Sequence, residues 1–306
     1  MLEVLAQLPL HIEDVSIQPL ARPSAGGGIR RTTLVRLHGE EQEGEGEDVT
    51  FQQGDALATA SALDALSGVR TLAEAWDRLD RLELFARPPE HAVVRNYRRW
   101  AVEAAALDLA LLQTGLSLGE RLGRAPQPVR FVVSPGRGDL RRFPGARLKL
   151  DAEDLEPGLP VDIIDFKGRG DARLVGRALD LFPEALLEDP PVVVAAARLS
   201  WDIGIHSFDD VLRLSEPPAA VNVKPARLGS VASLLGLYEG CAREGIALYG
   251  GGQHELGPGR AQIQLLAALF HPDGPNDVAP GAYNDAEPPP ELPASPLDVS
   301  SLPGFR

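Results

Sequence analysis

The chain has 306 residues, 44% of them hydrophobic and 24% charged, which is the composition of a globular protein long enough to bury its own core. A formal charge of −14, with paired arginines and no basic field, argues against a nucleic-acid binder. The single cysteine excludes an intrachain disulfide. No apolar run approaches the roughly 20 residues of a membrane span, and no secretory pattern opens the chain. We therefore expect a cytoplasmic protein that binds neither nucleic acid nor membrane.

The first third of the chain predicts strands followed by helices. Residues 11–20 alternate loosely and residues 32–37 are rich in β-formers, with a mobile glycine-rich loop between them at 24–28. The run Gly44 to Glu47 is predicted to lead into a third strand at 49–51. Helices are predicted at 56–66, 71–84 and, most strongly, 98–112, where Gly115 is placed to end the last one.

After Pro126 the pattern changes to short apolar runs that each end in polar residues. They cover residues 129–133, 146–150, 161–164, 185–187, 219–223 and 246–249, with helical stretches at 172–181 and 231–243. Repeated strand–helix units predict a buried parallel sheet, and seven or eight of them favour a barrel over an open sheet. Two connections, after Lys149 and after Glu188, are so short that the helices there should be one turn long or missing.

Five charged residues follow successive strands of this predicted barrel. They are Lys149, Asp165, Glu188, Asp202 and Lys224. Because the carboxyl ends of barrel strands meet at one face, the three carboxylates should converge, with a lysine on either side. Carboxylate oxygens without a neighbouring His or Cys suit a hard cation such as Mg²⁺, with Mn²⁺ as the alternative.

This arrangement predicts proton transfer next to a carboxylate. A substrate carboxylate bound to Mg²⁺ has a more acidic α-proton, because the cation offsets the charge of the enediolate. A lysine in a cationic, partly dry site can serve as the base. Lysines on both sides of the substrate permit either elimination or epimerisation.

The chain resembles the enolase superfamily, and within it the muconate lactonizing enzyme subgroup. The resemblance covers nearly the whole chain and rests on the N-terminal strands, the Ala-rich helix, the lysine motif and the glycine-rich run, at residues 44–47, 101–110, 222–229 and 249–260. It implies a modified (β/α)7β TIM-type barrel at 125–285, an α+β capping domain at 1–115 with part of the tail, and an extended Pro-rich tail at 286–306 that wraps the surface.

The resemblance also implies roles for individual residues. Asp165, Glu188 and Asp202 match the metal ligands, and Lys149 and Lys224 match the two catalytic lysines. Three positions depart from the subgroup pattern: Arg147 replaces a lysine, Lys167 an asparagine and Ile203 a glutamate. We assign Lys167 as a third catalytic cation, its alternative being an ion pair with Glu188 or Asp189. Arg147, His254 and Glu255 are assigned to substrate binding.

Two classes of function follow. The first is an Mg²⁺-dependent lyase or isomerase acting on a small carboxylate, like o-succinylbenzoate synthase or a cycloisomerase, with an N-acylamino acid racemase or dipeptide epimerase as the alternative. The second is a non-catalytic barrel that only binds. The sequence names no substrate, and it leaves a monomer and a homo-oligomer both open. We expect specificity from the loop at 21–31 and from strand-end side chains.

Overall fold

A computed structural model of the chain describes residues 1–24, 27–50, 61–135, 142–300 and 302–306. A short helix, α1 (Leu2–Ala6), precedes three antiparallel strands in the order β1 (Asp14–Pro23), β2 (Ile29–Gly39) and β3 (Gln42–Asp48). The predicted mobile loop lies between β1 and β2, and its residues 25 and 26 fall outside the described part of the chain.

The third strand is not where the sequence predicted it. It runs over the Gly-Glu repeat itself, whereas Val49 and Thr50 follow the strand and residue 51 lies outside the described residues. Its glycines face a helix at very short range. A Cβ atom at Gly46 would lie 1.9 Å from the carbonyl oxygen of Ala101, and one at Gly44 would lie 2.3 Å from that of Ala105. Glycine is needed here because no side chain fits between strand and helix.

That helix is α3 (Val93–Thr114), the strongest helix predicted from the sequence, and Gly115 ends it with a φ of 66° as expected. It is preceded by α2 (Leu72–Leu79), shorter than the predicted 71–84, which begins where the side chain of Thr71 accepts a hydrogen bond from the Glu74 N–H. A 3₁₀ turn covers Asp64–Leu66, and residues 56–60 of the helix predicted at 56–66 lie outside the described residues. Helix α4 (Leu118–Leu122) follows α3.

Six parallel strands then form one curled sheet whose spatial order follows the chain: β4 (Leu148–Asp151), β5 (Val161–Asp165), β6 (Leu186–Glu188), β7 (Leu199–Trp201), β8 (Ala220–Val223) and β9 (Ala247–Gly250). Single bridges close the ring: Val133 pairs with Leu148, Phe131 with Asn276, and Gly251 with Asp277. The predicted barrel is therefore confirmed, with the apolar run at 129–133 in the first strand position and β4 in the second.

Barrel helices are α5 (Ala172–Leu181), α6 (Phe208–Leu212), α7 (Pro225–Leu228), α8 (Val231–Glu244) and α9 (Pro258–Phe270). The two connections that the sequence marked as too short for a full helix each contain one 3₁₀ turn, at Ala152–Asp154 and Ala196–Arg198. A layer of buried side chains, formed by Val132, Ile163, Ala220 and Tyr249, fills the barrel interior. No helix in the described ranges has both the length and the apolar character that crossing a membrane requires.

The tail runs from the barrel back to the first domain without helix or strand in its described residues. Leu297 bridges to Val129 in the barrel. Phe305 is completely buried, its ring stands edge-on to Trp100 of α3, and its N–H donates to Asp108. The tail thus ends inside the core of the N-terminal part, the part of the chain with which the resemblance groups it.

Candidate active site

The carboxyl ends of the barrel strands bring two of the predicted acidic residues, Asp165 and Glu188, together, and the third, Asp202, pairs with two cations nearby. Asp165 ends β5 and Glu188 ends β6, where the two are paired in register, and Asp202 follows β7. All three side chains are buried, Glu188 completely. Parallel neighbouring strands explain this convergence, because their last residues meet at one edge.

Lys149 of β4 reaches into this acidic group. Its ammonium contacts Glu188 Oε1 directly and lies 3.7 Å from Asp165 Oδ2 and 3.8 Å from Asp277 Oδ2. Burial alone would lower the pKa of Lys149, but the surrounding carboxylates outweigh burial and raise it above its usual value. Lys149 is therefore a protonated cation in the middle of the acidic cluster.

The other oxygen of Glu188 is held from the barrel interior. Oε2 accepts one hydrogen bond from the Asn222 amide at 3.0 Å and another from the Tyr249 hydroxyl. Burial, then the charge of Glu188, raise the pKa of Tyr249 well above its usual value, so the hydroxyl keeps its proton. One oxygen of Glu188 thus accepts hydrogen bonds from neutral donors, and the other contacts a cation.

Asp165 and Asp189 complete the buried acidic group, because oxygens of Asp165, Glu188 and Asp189 all lie within 4.8 Å of one another. Burial raises the pKa of Asp165 to about 7, although Lys149 opposes the shift, and burial raises that of Asp189 to about 6. The oxygens of Asp189 accept hydrogen bonds from the backbone N–H groups of Asp202 and Ile203, both at 3.0 Å. Asp189 therefore fixes the loop that carries Asp202.

Asp202 is held by two cations. Its Oδ2 accepts a hydrogen bond from Lys224 at 2.6 Å, and its Oδ1 contacts Arg227, which also donates to the Asp202 carbonyl oxygen at 2.7 Å. Burial would raise the pKa of Asp202, but Lys224 and Arg227 lower it below its usual value. The predicted second lysine thus stands beside the third predicted ligand.

Lys167 and Arg147 are not part of this buried cluster. Lys167 lies at the rim with a φ of 53° and its ammonium pairs with Asp151, not with Glu188 or Asp189. Arg147 pairs with Asp162 and is 45% exposed. Arg147 lies just before β4 begins, and the register shift between Leu148 and Lys149 leaves its partner Asp162 as the extra residue of β5.

The glycine-rich run after β9 forms the wall of the site. A Cβ atom at Gly251 would lie 2.3 Å from Asn222 Oδ1 and 2.9 Å from Lys224 Cε, so only glycine allows this close approach. The predicted binding residues follow it: His254 is exposed with a φ of 58°, and Glu255 is buried, 3.2 Å from Arg260.

Two cavities meet at His254. One of about 310 Å³ opens onto the acidic cluster and is lined by Lys149, Asp165, Lys167, Lys224 and Asp277 among others. The other, of about 280 Å³, lies beside the β1–β2 hairpin and is lined by Arg22, Arg30, Arg31 and Glu255 among others. Of the predicted site residues, His254 alone lines both cavities within the described part of the chain.

Sequence reasoning missed several residues of the site. They are Asp189, Asn222, Arg227, Tyr249 and Asp277. Asn222 and Arg227 lie within the lysine motif that carried the resemblance, and that motif was the available signal for them. Asp277 follows a polar, Pro-containing stretch, so no apolar run marked it. Tyr249 opens the glycine-rich run at 249–260 that also carried the resemblance, but nothing in that run marks a role for its hydroxyl.

The residues present fit a divalent cation. Every candidate donor is a carboxylate oxygen, the ligand type that Mg²⁺ prefers. The cluster contains five carboxylates, Asp165, Glu188, Asp189, Asp202 and Asp277, against three cations, Lys149, Lys224 and Arg227. The surplus among these described residues is two negative charges, which one divalent ion would balance. The Lys149 ammonium lies beside two of these carboxylates, Asp165 and Glu188.

Two family models match the chain: the DUF8230 N-terminal domain over residues 3–121 and the DUF8230 C-terminal domain over residues 125–285, both described as domains of unknown function. Among proteins of assigned activity, an o-succinylbenzoate synthase of Geobacillus kaustophilus is 25% identical over 248 residues. That match covers 65% of this chain and 66% of the relative, just under two thirds of its length.

Solved structures match nearly the whole chain. A muconate cycloisomerase from Pseudomonas fluorescens aligns with a TM-score of 0.72 at 20% identity, covering 97% of this chain and 96% of the other. An enolase superfamily member from Listeria innocua gives 0.73 at 19% identity over 97% and 94%. A mandelate racemase/muconate lactonizing enzyme homologue from Roseovarius nubinhibens, complexed with magnesium, gives 0.69 at 20% over 97% and 95%. The chain therefore belongs to the DUF8230 family, and its fold is the capped barrel of the enolase superfamily, as the sequence resemblance predicted.

Proposed function

We propose that this protein is an Mg²⁺-dependent enzyme that removes the proton α to a carboxylate group of a small substrate, as an o-succinylbenzoate synthase-like or cycloisomerase-like lyase or isomerase. The observation that carries the proposal is the buried cluster in which Asp165, Glu188 and Asp202 end successive strands between two lysines. Mn²⁺ is the alternative cation. Burying this many charged groups costs more free energy than packing apolar side chains in the same space, so packing does not explain this donor set.

The three carboxylates would hold the cation. When bound, it supplies positive charge beside the substrate carboxylate, which makes the α-proton easier to remove. Asp189 keeps Asp202 in place through two backbone hydrogen bonds. Asp277, 3.8 Å from the Lys149 ammonium, gives that lysine a second carboxylate partner when Glu188 is engaged.

The two buried lysines would move the proton. Lys149 lies on the second strand position and Lys224 follows the sixth, and both line the cavity of about 310 Å³. One of them, in its neutral form, accepts the α-proton, while the other stays charged and offsets the negative charge that develops on the substrate. Lys167 stands at the rim of the same cavity and would act as a further cation toward the substrate.

Two observations bear on the reaction type. The relative from Geobacillus kaustophilus bears the name o-succinylbenzoate synthase, which supports the lyase. The presence of a lysine on each side of the cavity supports a racemase or epimerase, because that reaction needs a base on either face of the substrate. We place the lyase first, because the relative named o-succinylbenzoate synthase is 25% identical, whereas the neighbour named mandelate racemase/muconate lactonizing enzyme is 20% identical and supports the fold alone.

Calorimetric titration with Mg²⁺ tests the proposal and separates it from a non-catalytic barrel. Wild-type protein should bind one ion with saturation, and Asp202→Asn should lose most of the affinity while it keeps its fold. Asp162→Asn is the matched control, because Asp162 pairs with Arg130 and Arg147 outside the cluster and should leave affinity unchanged. A wild-type protein that binds no divalent ion would refute the proposal.

The substrate is then sought by exchange of the α-proton for deuterium in D₂O. A library of N-acyl amino acids, dipeptides and cyclohexadienyl acids covers the lyase and racemase alternatives. Exchange that needs both Mg²⁺ and an intact Asp202 would support proton removal at this site. Exchange that persists after removal of the metal with a chelator would place the chemistry elsewhere.

A further inference from the structure

Tyr249 crosses the interior of the barrel to reach the acidic cluster. It lies on β9, three strands away from the β6 strand that ends in Glu188, and its side chain is completely buried. Its ring packs in the interior layer with Val132, Ile163 and Ala220. Packing alone would be satisfied by phenylalanine, so the hydroxyl requires a separate explanation.

The hydroxyl has two neighbours. It donates to Glu188 Oε2, and it lies 3.1 Å from the hydroxyl of Ser200 on β7. The Asn222 amide donates to the same Oε2 at 3.0 Å. Ser200 could have satisfied a buried tyrosine by itself. The hydroxyl instead donates to the one predicted ligand that is completely buried.

These contacts make the two oxygens of Glu188 different. Oε2 is bound from the interior by two neutral donors, whereas Oε1 contacts the Lys149 ammonium at the edge of the cavity. Neutral donors on one oxygen fix the carboxylate plane without cancelling its charge. Oε1, the oxygen beside the Lys149 ammonium, therefore keeps its charge available.

We infer that Tyr249 is a positioning residue, whose hydroxyl, together with the Asn222 amide, holds Oε2 of Glu188 inside the barrel so that Oε1 alone binds a hard divalent cation. This inference rests on the proposed function, since it assigns Glu188 to that cation. Partners that orient a ligand from behind typically contribute a factor of about 10 to 100 in metal affinity. A carboxylate freed from both donors could rotate and would lose that advantage.

Removing the hydroxyl tests the inference. Tyr249→Phe keeps the buried ring and deletes the hydrogen bond, so Mg²⁺ or Mn²⁺ affinity measured by calorimetry should fall about 10- to 100-fold. Asn222→Ala, which removes the other donor, should weaken binding by a similar factor. The matched control is Tyr238→Phe: Tyr238 is also buried, but its hydroxyl lies 3.3 Å from His271 Nε2, away from the cluster, and the affinity should not change.

Two further measurements distinguish a positioning role of Tyr249 from a purely structural one. The melting temperature of the metal-free Tyr249→Phe protein should stay close to that of Tyr238→Phe. Ser200→Ala should leave metal affinity unchanged, because the Ser200 hydroxyl contacts Tyr249 and Ser200 pairs with Glu188 through its backbone, which the substitution keeps. Unchanged affinity in both Tyr249→Phe and Asn222→Ala would overturn the inference and leave the proposed function standing. A wild-type protein without metal affinity would instead refute the proposed function, and this inference with it.

Discussion

The ammonium of Lys149 contacts the carboxylate of Glu188 inside the barrel, with less than a tenth of either side chain exposed. Asp165 Oδ2 lies 3.7 Å from the same ammonium. Lys149 therefore offsets part of the negative charge of the acidic cluster. The divalent ion proposed for Glu188 and Asp165 would be repelled by this ammonium, so lysine and metal would compete.

The first prediction follows from that competition. Lys149→Met keeps the length of the side chain and removes its charge, so Mg²⁺ should bind at least about tenfold more tightly. A unit charge about 4 Å from another contributes on the order of 4 kcal/mol at the effective dielectric of a protein site, far more than the 1.4 kcal/mol that corresponds to a factor of ten. Calorimetry measures the affinity directly.

Lys167→Met is the control for this experiment. Lys167 is 41% exposed and its ammonium pairs with Asp151 at the rim, so screening by solvent should make its effect on Mg²⁺ affinity much smaller. Equal effects of the two substitutions would mean that overall charge, and not the position of Lys149, governs binding. Weaker binding in Lys149→Met would contradict the competition.

The second prediction concerns the contact between the two domains. Glu47 of β3 is 2% exposed, and its carboxylate accepts hydrogen bonds from the backbone N–H groups of Leu256, Gly257 and Gly259 at the start of α9. Glu47→Ala leaves these donors buried without an acceptor, which should lower the free energy of unfolding by about 2–4 kcal/mol.

Urea unfolding followed by circular dichroism measures this loss. Glu43 on the same strand is the control, because its side chain is 44% exposed and pairs with Arg36 and His38 at the surface. Glu43→Ala should cost less than about 1 kcal/mol. Similar losses in the two variants would show that Glu47 does not fix the loop.

Part of this molecule could be read from the sequence and part could not, and β3 shows the difference. The Ala-rich pattern of α3 predicted a buried helix, and the polar residues that follow apolar runs predicted where Asp165 and Glu188 would meet. Glycine has low strand propensity, so the repeat around Gly46 looked like a connection. It is a strand because α3 lies so close, and that proximity is a tertiary fact with no local signal. The contact from Tyr249 to Glu188 could not be predicted for the same reason, because it too depends on tertiary structure.

The third prediction tests that close packing. A Cβ atom at Gly46 would lie 1.9 Å from the Ala101 carbonyl oxygen and 2.9 Å from the Ala105 nitrogen, both rigid backbone atoms. Gly46→Ala should therefore destabilise the protein by about 3 kcal/mol or more. Gly236→Ala in α8 is a control of opposite sign, because nothing lies within 4 Å of its Cβ position, and the change should stabilise by about 0.5–1 kcal/mol. Equal melting temperatures would contradict the packing.

The fourth prediction concerns pH. Glu103 of α3 is 1% exposed and accepts hydrogen bonds from Arg99 and from the Val231 N–H, each at 2.7 Å. Burial raises the pKa of Glu103 from 4.5 to about 7, despite the opposing charge of Arg99. Since the folded pKa lies above the unfolded one, the stability contributed by this group is complete below pH 4.5 and is lost as pH rises through about 7, by about 3 kcal/mol in total.

Glu103→Gln removes that titration. Relative to wild type, its free energy of unfolding should therefore increase between pH 4.5 and pH 8, even where the substitution itself lowers stability at low pH. Urea unfolding at several pH values gives the difference between the two proteins, in which all other titrating groups cancel. A constant difference across this range would show that Glu103 does not titrate in it.

The last prediction assigns the lysines. Lys149 and Lys224 approach the cluster from different strands and contact different carboxylates, Glu188 and Asp202, so the substrate α-carbon would lie between them. Loss of an acid–base group typically costs a factor of about 10² to 10⁴ in rate. We therefore expect Lys149→Ala and Lys224→Ala each to lose activity by that factor, and Lys167→Ala, which removes a partner of Asp151 at the rim, to lose less.

Deuterium exchange at the α-carbon then separates the two reaction types, once a substrate is found. In a racemase each single variant should still exchange the proton of one enantiomer, because the base on one face remains. In a lyase only one of the two lysines should be essential for exchange, and the other should mainly affect the rate through its charge. Full exchange of both enantiomers by Lys224→Ala would remove Lys224 from the mechanism. Lys149 and Lys167, which both line the cavity, would then be the remaining candidates for the base.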